Sequence, residues 1–171
     1  MIDERAKKIK LLILDVDGVL TDGRIIYDNF GDELKCFNVQ DGFGMMLLYK
    51  AGIKSVIITA RKSRVVFRRA QDMHVQKVYA SHKKFKMYQK AIKRFKVKDE
   101  EVCFMGDDLL DLPVIKRVGL AIAPPNAVEE VRNLAHYITK RSGGKGAVRE
   151  VIEIILKSQG LWEKAISKYN I

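Results

Sequence analysis

Residues 11–23 read LLILDVDGVLTDG, and the rest of the chain is organised around this stretch. Its four aliphatic residues in succession predict a buried strand. Asp15 and Asp17 follow directly, and a carboxylate at the end of a buried strand is costly unless it has a function or a counter-ion. Gly18 and Gly23 favour a turn that folds both carboxylates around one point. The DxDG pattern alone is equally consistent with a polar turn, whereas the complete DVDGVLTDG is much more specific.

The composition describes an ordinary globular chain with a basic surface. Its 171 residues, 47% hydrophobic and 31% charged, predict one domain over residues 1–171. The net charge of +11, from 32 basic and 21 acidic residues, would suit a nucleic acid. However, the basic residues are spread over several predicted helices, without the interleaved aromatic residues that base stacking requires. An anionic small substrate or a lysine-rich surface explains the charge as well, so we expect no nucleic-acid partner.

The sequence also predicts a cytoplasmic location. A basic amino terminus is followed only by the short LLIL run, and no apolar run approaches the ~20 residues of a membrane span. Cys36 and Cys103 show no metal or redox spacing, which is typical of small buried hydrophobic residues in a reducing compartment. We therefore expect neither a secretory signal nor a membrane partner.

Short apolar runs alternate with amphipathic stretches along most of the chain. After the first run, strands are predicted at residues 55–58, 77–79, 102–105, 119–123 and 136–139. Helices are predicted at residues 41–52, 63–73, 83–95, 109–118 and 128–134, and a last helix ends at about Ser158. This order predicts an α/β fold with a Rossmann-like, doubly wound parallel sheet. Two extended runs at 25–27 and 34–39, around the turn residues DNFG, predict a projecting β-hairpin.

Polar residues stand where three of the predicted strands end, namely Asp15, Thr59 and Asp107. Ligands of such sheets bind at the carboxyl ends of the strands. The carboxylates of the first strand, with Asp107 and Asp108, would repel one another without a cation, and their oxygen ligands suit magnesium. A helix cap is an alternative role for Asp107 and Asp108, compatible with the first. Thr59 and a lysine at a helix start would complete a cradle for a phosphoryl group.

Several segments of the sequence resemble the motifs of a known family. DVDGVLTDG, then IIT, a helix-initial lysine, and GDDLLDLPV at residues 106–114 are similar to the four motifs of the haloacid dehalogenase superfamily of phosphatases. FNVQDG at residues 37–42 and GGKGAVREVIEIIL at 143–156 more closely resemble the 3-deoxy-D-manno-octulosonate 8-phosphate phosphatases. The similarity extends from Ile9 to about Gly160.

The resemblance implies a role for each acidic residue of the predicted site. Asp15 would be the nucleophile that takes the phosphoryl group as an aspartyl-phosphate. Asp17 would protonate the leaving alkoxide and later deprotonate the attacking water. Magnesium would be held by Asp15, the backbone carbonyl of Asp17 and the side chain of Asp107, with Asp108 in support.

The same resemblance implies residues that bind the substrate. Thr59 and a lysine would bind the phosphoryl oxygens; Lys84 matches the family's lysine without a gap, and Lys86 is the second choice. The sugar acid would be recognised by Asn38, Val39, Gln40, Asp41, Gly42, Arg61 and Arg69. Guanidinium groups suit a carboxylate because they bind it bidentately, although either arginine is also consistent with solvated helix surface.

Four positions depart from the usual pattern of these phosphatases. They are Ala60 for a common Gly, Gln40 for a common Arg, Met46 for a frequent Arg and His74 for a Gly at a helix end. Two possible contacts to an anion are lost with the arginines at positions 40 and 46. This leaves the exact substrate open, but it does not affect the predicted reaction.

The spacing of the motifs leaves no room for a separate cap domain. Asp17 and Thr59 are 42 residues apart (59 − 17), and Thr59 and Lys84 are 25 apart (84 − 59). The site must therefore be shielded from water by other means. The resemblance implies a homotetramer in which hairpins pack together and a neighbour's C-terminal segment helps to close the site, through residues 143–149. A loose surface loop before a terminal helix is the alternative.

We therefore expect a magnesium-dependent phosphatase that releases phosphate from 3-deoxy-D-manno-octulosonate 8-phosphate, a precursor of the lipopolysaccharide core sugar. The nearest enzymatic rival acts on a sialic-acid-type 9-phosphate. A rival of another class is a catalytically silent binding or assembly module. The intact Asp15, Asp17, Thr59 and Asp107 argue against a silent protein, which would be free to lose them.

Overall fold

The computed structural model describes residues 2–169. Its strands are β1 (Leu11–Leu14), β2 (Ile26–Tyr27), β3 (Glu33–Leu34), β4 (Lys54–Thr59), β5 (Lys77–Ala80), β6 (Val102–Met105), β7 (Leu120–Ala123) and β8 (Tyr137–Ile138). Its α-helices are α1 (Ile2–Ala6), α2 (Val39–Lys50), α3 (Arg64–Asp72), α4 (Lys84–Phe95), α5 (Leu112–Ile115), α6 (Glu129–Leu134), α7 (Ala147–Ser158) and α8 (Trp162–Ile166). Short 3₁₀ helices cover Asp99–Glu101, Leu109–Asp111 and Ser167–Tyr169. Among the helices of residues 2–169, none is long and apolar enough to span a bilayer.

The main sheet has six parallel strands in the order β5-β4-β1-β6-β7-β8. The central strand β1 is buried on both faces: Leu12 and Leu14 pack towards α2 and α7, and Leu11 and Ile13 pack towards α4 and α5. Because successive side chains of a strand point to opposite faces, a strand covered on both sides is a continuous apolar run. The predicted doubly wound sheet is confirmed.

A two-stranded antiparallel hairpin, β2 with β3, leaves the sheet after β1. Its turn is organised by Asp28, whose Oδ1 accepts the backbone N–H groups of Phe30 and Asp32. The hairpin prediction is confirmed, but the extended run expected over residues 34–39 is wrong beyond Leu34. Asn38 accepts backbone N–H groups with its side chain and caps α2, so the helix starts at Val39.

Two other parts of the chain differ from the expectation. The helix predicted over residues 109–118 is a 3₁₀ turn followed by the short α5, with Pro113 in its first turn, where the missing N–H costs nothing. Helices α1 and α8 were not predicted from the sequence. Gly160 (φ +67°) turns the chain after α7, and the Trp162 ring of α8 then packs beneath Arg149 and Lys157.

Candidate active site

The parallel register brings the predicted site residues to one edge of the sheet. Leu14, at the end of β1, lies beside Ile57 of β4 and Met105 of β6. The chain segments that leave these strands therefore meet at the same height. They surround a cavity of about 230 Å³ whose lining includes Asp15, Asp17, Thr59, Arg61, Lys84 and Asp107.

A buried lysine is bonded to two carboxylates at the bottom of this cavity. Lys84 Nζ donates to Asp15 Oδ2 at 2.7 Å and to Asp111 Oδ1 at 2.6 Å. Burial alone would lower the pKa of Lys84, but the charges of Asp15 and Asp111 outweigh it and raise the pKa above its ordinary value. Lys86, the alternative from the sequence, is exposed. The structure thus brings Lys84 to the site and leaves Lys86 on the surface.

Asp111 was not identified from the sequence. This fully buried carboxylate also accepts, through Oδ2, the backbone N–H groups of Asp107 at 3.0 Å and Asp108 at 3.2 Å. It therefore joins Lys84 to the loop that carries Asp107. The spacing of Asp108 and Asp111 in GDDLLD is that of a helix-capping pair, and this spacing was the available signal.

The carboxylates of Asp15, Asp107 and Asp111 offer oxygen atoms that all lie within 4.8 Å of one another. Burial and the charge of Asp111 raise the pKa of Asp15 to about 7, against the opposing effect of Lys84. Burial and the charges of Asp15 and Asp111 raise the pKa of Asp107 to about 8. Three carboxylates face one ammonium group, so a cation would relieve the repulsion, and the all-oxygen donors fit magnesium. Because both Asp111 oxygens are already engaged, Asp15 and Asp107 are the side chains suited to hold it.

Gly18 permits this close arrangement of the loops. It has φ +82°, and a Cβ atom built on it would come within 1.9 Å of Asp107 Oδ2. Only glycine fits here, because it adopts this positive φ without strain and has no Cβ atom to meet the Asp107 carboxylate. Asp108, in contrast, points its side chain to the N–H of Leu109 at 2.7 Å and caps the 3₁₀ turn. The capping alternative thus holds for Asp108, whereas the Asp107 side chain belongs to the carboxylate cluster.

Asp17 lies at the mouth of the cavity and faces the hairpin. Its Oδ1 accepts from Lys35 Nζ at 2.5 Å, and the same ammonium lies 3.2 Å from Glu33 Oε1. Arg61 continues the contact, since its Nη2 donates to Glu33 Oε1 at 2.8 Å and to the Tyr27 hydroxyl at 3.0 Å. Lys35 and Glu33 were not identified from the sequence, where nothing indicates that the hairpin reaches back to the first strand.

The remaining predicted substrate residues form the start of α2, beside the cavity. Asn38 is the cap of α2, Val39 is 79% exposed, and Gln40 accepts from Arg141. Asp41 is buried, and its Oδ1 accepts the backbone N–H of Arg149 at 2.8 Å. Asn38 and Val39 line a second, neighbouring cavity of about 380 Å³.

Arg69 packs against the segment at the start of α2. Its Nη2 donates to the Asn38 carbonyl at 3.2 Å, its guanidinium lies over the Phe37 ring, and a Cβ atom at Gly42 would come within 2.2 Å of it. Arg61 is therefore the predicted arginine that lines the Asp15 cavity, while Arg69 holds the start of α2.

The loop before α7 packs tightly on the DVDGVLTDG loop of the same chain. A Cβ atom on Gly143 would lie 1.8 Å from the Gly18 carbonyl oxygen. Asn126 joins the two loops: its Nδ2 donates to the Gly18 carbonyl and its Oδ1 accepts the Gly143 N–H. Gly144 N–H adds a bond to the Val19 carbonyl. These bonds disagree with the alternative of a loose surface loop.

Comparison with known proteins agrees with this geometry. Residues 45–152 match the model of the haloacid dehalogenase-like hydrolases. The chain is 41% identical over 163 residues to the 3-deoxy-D-manno-octulosonate 8-phosphate phosphatase of Yersinia pestis, covering 95% of this chain and 87% of that protein.

Two solved structures are similar over nearly the whole chain. One is a putative haloacid dehalogenase superfamily (subfamily III A) hydrolase from Legionella pneumophila, with 47% identity, a TM-score of 0.95 and coverage of 98% and 93% of the two chains. The other is the 3-deoxy-D-manno-octulosonate (KDO) 8-phosphate phosphatase of Moraxella catarrhalis, in complex with magnesium, phosphate and KDO, with 40% identity, a TM-score of 0.96 and coverage of 99% and 98%. The chain therefore belongs to the haloacid dehalogenase-like hydrolase family.

Proposed function

We propose that this protein is a magnesium-dependent phosphatase that releases inorganic phosphate from KDO 8-phosphate through an aspartyl-phosphate intermediate. The observation that carries the proposal is the buried Lys84, bonded to Asp15 and Asp111 beside Asp107 at the carboxyl edge of the sheet. The substrate follows from the similarity to KDO 8-phosphate phosphatases of Yersinia pestis and Moraxella catarrhalis.

Asp15 is assigned as the nucleophile. Lys84 fixes its carboxylate through Oδ2, and we assign the attack on phosphorus to Oδ1. The new Oδ1–P bond forms as the bond between phosphorus and the sugar oxygen breaks. Asp17, at the cavity mouth, gives its proton to that sugar oxygen, so the product leaves as an alcohol.

The second half of the reaction restores the enzyme. Asp17 takes a proton from a water molecule whose oxygen attacks the phosphorus of the aspartyl-phosphate. The Oδ1–P bond breaks, inorganic phosphate leaves, and Asp15 is again a carboxylate. Thus Asp17 acts first as an acid and then as a base, which requires it to reach both the sugar oxygen and the water.

Asp15, Asp107 and the backbone carbonyl of Asp17 are assigned to hold magnesium, which when bound neutralises charge on the phosphoryl oxygens. Lys84 and Thr59 are assigned to bind those oxygens. The Thr59 Oγ1 accepts the backbone N–H of Arg61 at 3.3 Å, which leaves its hydroxyl proton to donate. At the mouth of the cavity, Arg61 is the cation placed to meet the sugar-acid carboxylate.

The test is phosphate release from a panel of sugar-acid phosphates, including KDO 8-phosphate and a sialic-acid-type 9-phosphate, with and without magnesium. We expect turnover of KDO 8-phosphate with magnesium and background release from Asp15→Asn. Asp72→Asn, an exposed Asp on α3, is the matched control and should retain native activity. Release that persists in Asp15→Asn contradicts the nucleophile assignment, and no turnover of any panel member favours a silent binding module.

We further propose that residues 1–171 act as one domain in a cytoplasmic homotetramer that serves lipopolysaccharide core sugar synthesis. The hairpin supports assembly, since the apolar side chains of Phe30 at its turn and Leu34 on β3 are 92% and 51% exposed. Cys103 is buried as predicted, whereas Cys36 is exposed, so the predicted burial is wrong for Cys36. Both thiols are free, which suits a reducing compartment. Light scattering tests the assembly: active monomers at the assay concentration would exclude a site closed by the neighbour's C-terminal segment.

A further inference from the structure

The geometry points to Lys35 as a positioning residue, which holds the Asp17 carboxylate at the place from which it transfers protons. This inference rests on the proposed phosphatase function and adds to it a residue of the hairpin. Lys35 follows β3 directly in the sequence, and its Nζ is bonded to Asp17 Oδ1. Its side chain is 1% exposed, so this ammonium group has exchanged water for protein carboxylates.

A chain of alternating charges fixes the Lys35 ammonium from its other side. Glu33 Oε1 lies 3.2 Å from Lys35 Nζ and 2.8 Å from Arg61 Nη2. Arg61 in turn bonds the Tyr27 hydroxyl on β2. Both strands of the hairpin are therefore connected to Asp17, β3 through the ion pairs of Glu33 and Lys35 and β2 through the hydrogen bond of the Tyr27 hydroxyl. An ammonium group that contacts two carboxylates has little freedom to move, unlike that of a lysine on a solvated surface.

Asp17 needs such a support because of its place in the chain. It lies beyond the end of β1, and its neighbour Gly18 has a φ of +82° that gives the backbone a sharp turn. A carboxylate on a turn can rotate about its side-chain bonds, whereas proton transfer requires it within hydrogen-bond reach of the sugar oxygen and the water. One bond from a buried ammonium limits this rotation.

Removal of Lys35 would do more than free Asp17. Asp17 and Glu33 both lie within 3.2 Å of the same ammonium, so without it two carboxylates would face each other in a partly buried space. Repulsion would then drive the Asp17 side chain away from its working position. The phosphate cradle of Thr59 and Lys84 would be unaffected, because its own contacts do not involve Lys35.

A double-mutant cycle tests whether Lys35 acts through Asp17. We expect Lys35→Met to lower kcat for KDO 8-phosphate by about 10- to 100-fold, a part of the usual contribution of general acid–base catalysis. In an Asp17→Asn background the same change should cost less than about 3-fold. Lys35→Arg, which keeps the charge, should recover part of the activity. Lys116→Met, at an exposed lysine beside α5, is the matched control.

Two further measurements separate positioning from a contact with substrate or from structural damage. Inhibition by inorganic phosphate with magnesium should be unchanged in Lys35→Met, because the cradle is intact. The loss in kcat/KM should be smaller for p-nitrophenyl phosphate than for the sugar phosphate, since a nitrophenolate leaves without a proton. If Lys35→Met does not fold, Lys35→Gln takes its place with the same expectations.

Full additivity of Lys35→Met and Asp17→Asn would overturn the inference, as would a parallel loss of phosphate inhibition. The proposed substrate fails separately: the native protein would then hydrolyse p-nitrophenyl phosphate but not KDO 8-phosphate. In that case the cycle is run with the alkyl phosphate from the panel that the native protein does hydrolyse, and it gives the same decision on Lys35. A native protein without any phosphatase activity overturns the function and the inference together.

Discussion

Lys84 Nζ lies 2.6 Å from Asp111 Oδ1, and neither side chain is more than 3% exposed. This ion pair connects the first turn of α4 to the segment after β6, because the other Asp111 oxygen accepts the N–H groups of Asp107 and Asp108. A buried pair of this kind costs desolvation and is stabilising only when its remaining hydrogen bonds are satisfied, as they are for Asp111. It therefore determines where Asp107 stands.

Asp111→Asn removes the charge of this carboxylate at nearly constant volume. We expect the free energy of unfolding to fall by about 1–3 kcal/mol, because one Lys84 bond and the acceptor of two N–H groups are weakened. Phosphate release should fall at least about tenfold, since Asp107 loses its support. Urea unfolding and a phosphate assay measure the two effects. Asp108→Asn, which changes an exposed 3₁₀ cap, should cost less than about 1 kcal/mol; equal losses in the two variants would contradict the role of Asp111.

Lys84→Met and Lys86→Met form a second matched pair, two positions apart at the start of α4. The first leaves Asp15 and Asp111 buried without their ammonium, so we expect an unfolding free energy lower by about 3 kcal/mol and loss of phosphate binding. Lys86 is exposed, and its replacement should change stability by less than about 0.5 kcal/mol. Thermal unfolding with and without inorganic phosphate decides between them. If phosphate raises the Tm of Lys84→Met but not that of Lys86→Met, the assignment of the phosphate-binding lysine is reversed.

Gly18→Ala should damage the metal site through space as well as through the backbone. The new methyl group would come within 1.9 Å of Asp107 Oδ2, at φ +82°. We expect apparent magnesium affinity, measured from the activation of phosphate release, to fall by about 10-fold or more. Gly52→Ala is the control, since Gly52 has φ +85° but no atom within 4 Å of a built Cβ. It should lose about 1 kcal/mol of stability from backbone strain, with native magnesium dependence.

Asp41 gives the protein a pH dependence that can be isolated. Burial raises the pKa of Asp41 in the folded state, against the opposing N–H bond from Arg149. A raised pKa means that its contribution to stability is fully present below the unfolded pKa of about 4. That contribution is lost as the pH rises through the folded pKa.

Relative to Asp41→Asn, which does not titrate, the native protein should therefore lose stability as the pH rises from about 4 through the folded pKa of Asp41. The loss begins above the unfolded pKa and is complete once the pH has passed the folded pKa, because only then is the buried carboxylate charged. Urea unfolding of both proteins across this range measures the difference. An opposite slope would show that the N–H bonds, and not burial, dominate the environment of Asp41.

The apolar runs predicted the parallel sheet, because a strand that is buried on both faces is a continuous apolar run in the sequence itself. The sheet in turn predicted that Asp15, Thr59 and Asp107 lie close together at the ends of its strands. The prediction of an extended segment up to Val39 is wrong because Asn38 caps a helix that starts at Val39. An asparagine at this position is compatible with an extended segment or with a helix cap, and composition does not distinguish the two. Lys35, Glu33 and Asp111 were not found, since their partners are 18, 28 and 27 residues away and depend on packing that local patterns do not encode.

The contact of Gly143 with Gly18 has a consequence for synthesis of the protein. The loop that follows β1 leaves the ribosome well before the residues that brace it, because Asn126 and Gly143 come more than 100 positions later in the chain. A nascent chain can form the first strand long before its reactive turn has the support it needs. Hydrolytic competence should thus arise late in translation, in one step, when the segment before α7 emerges and closes on the turn.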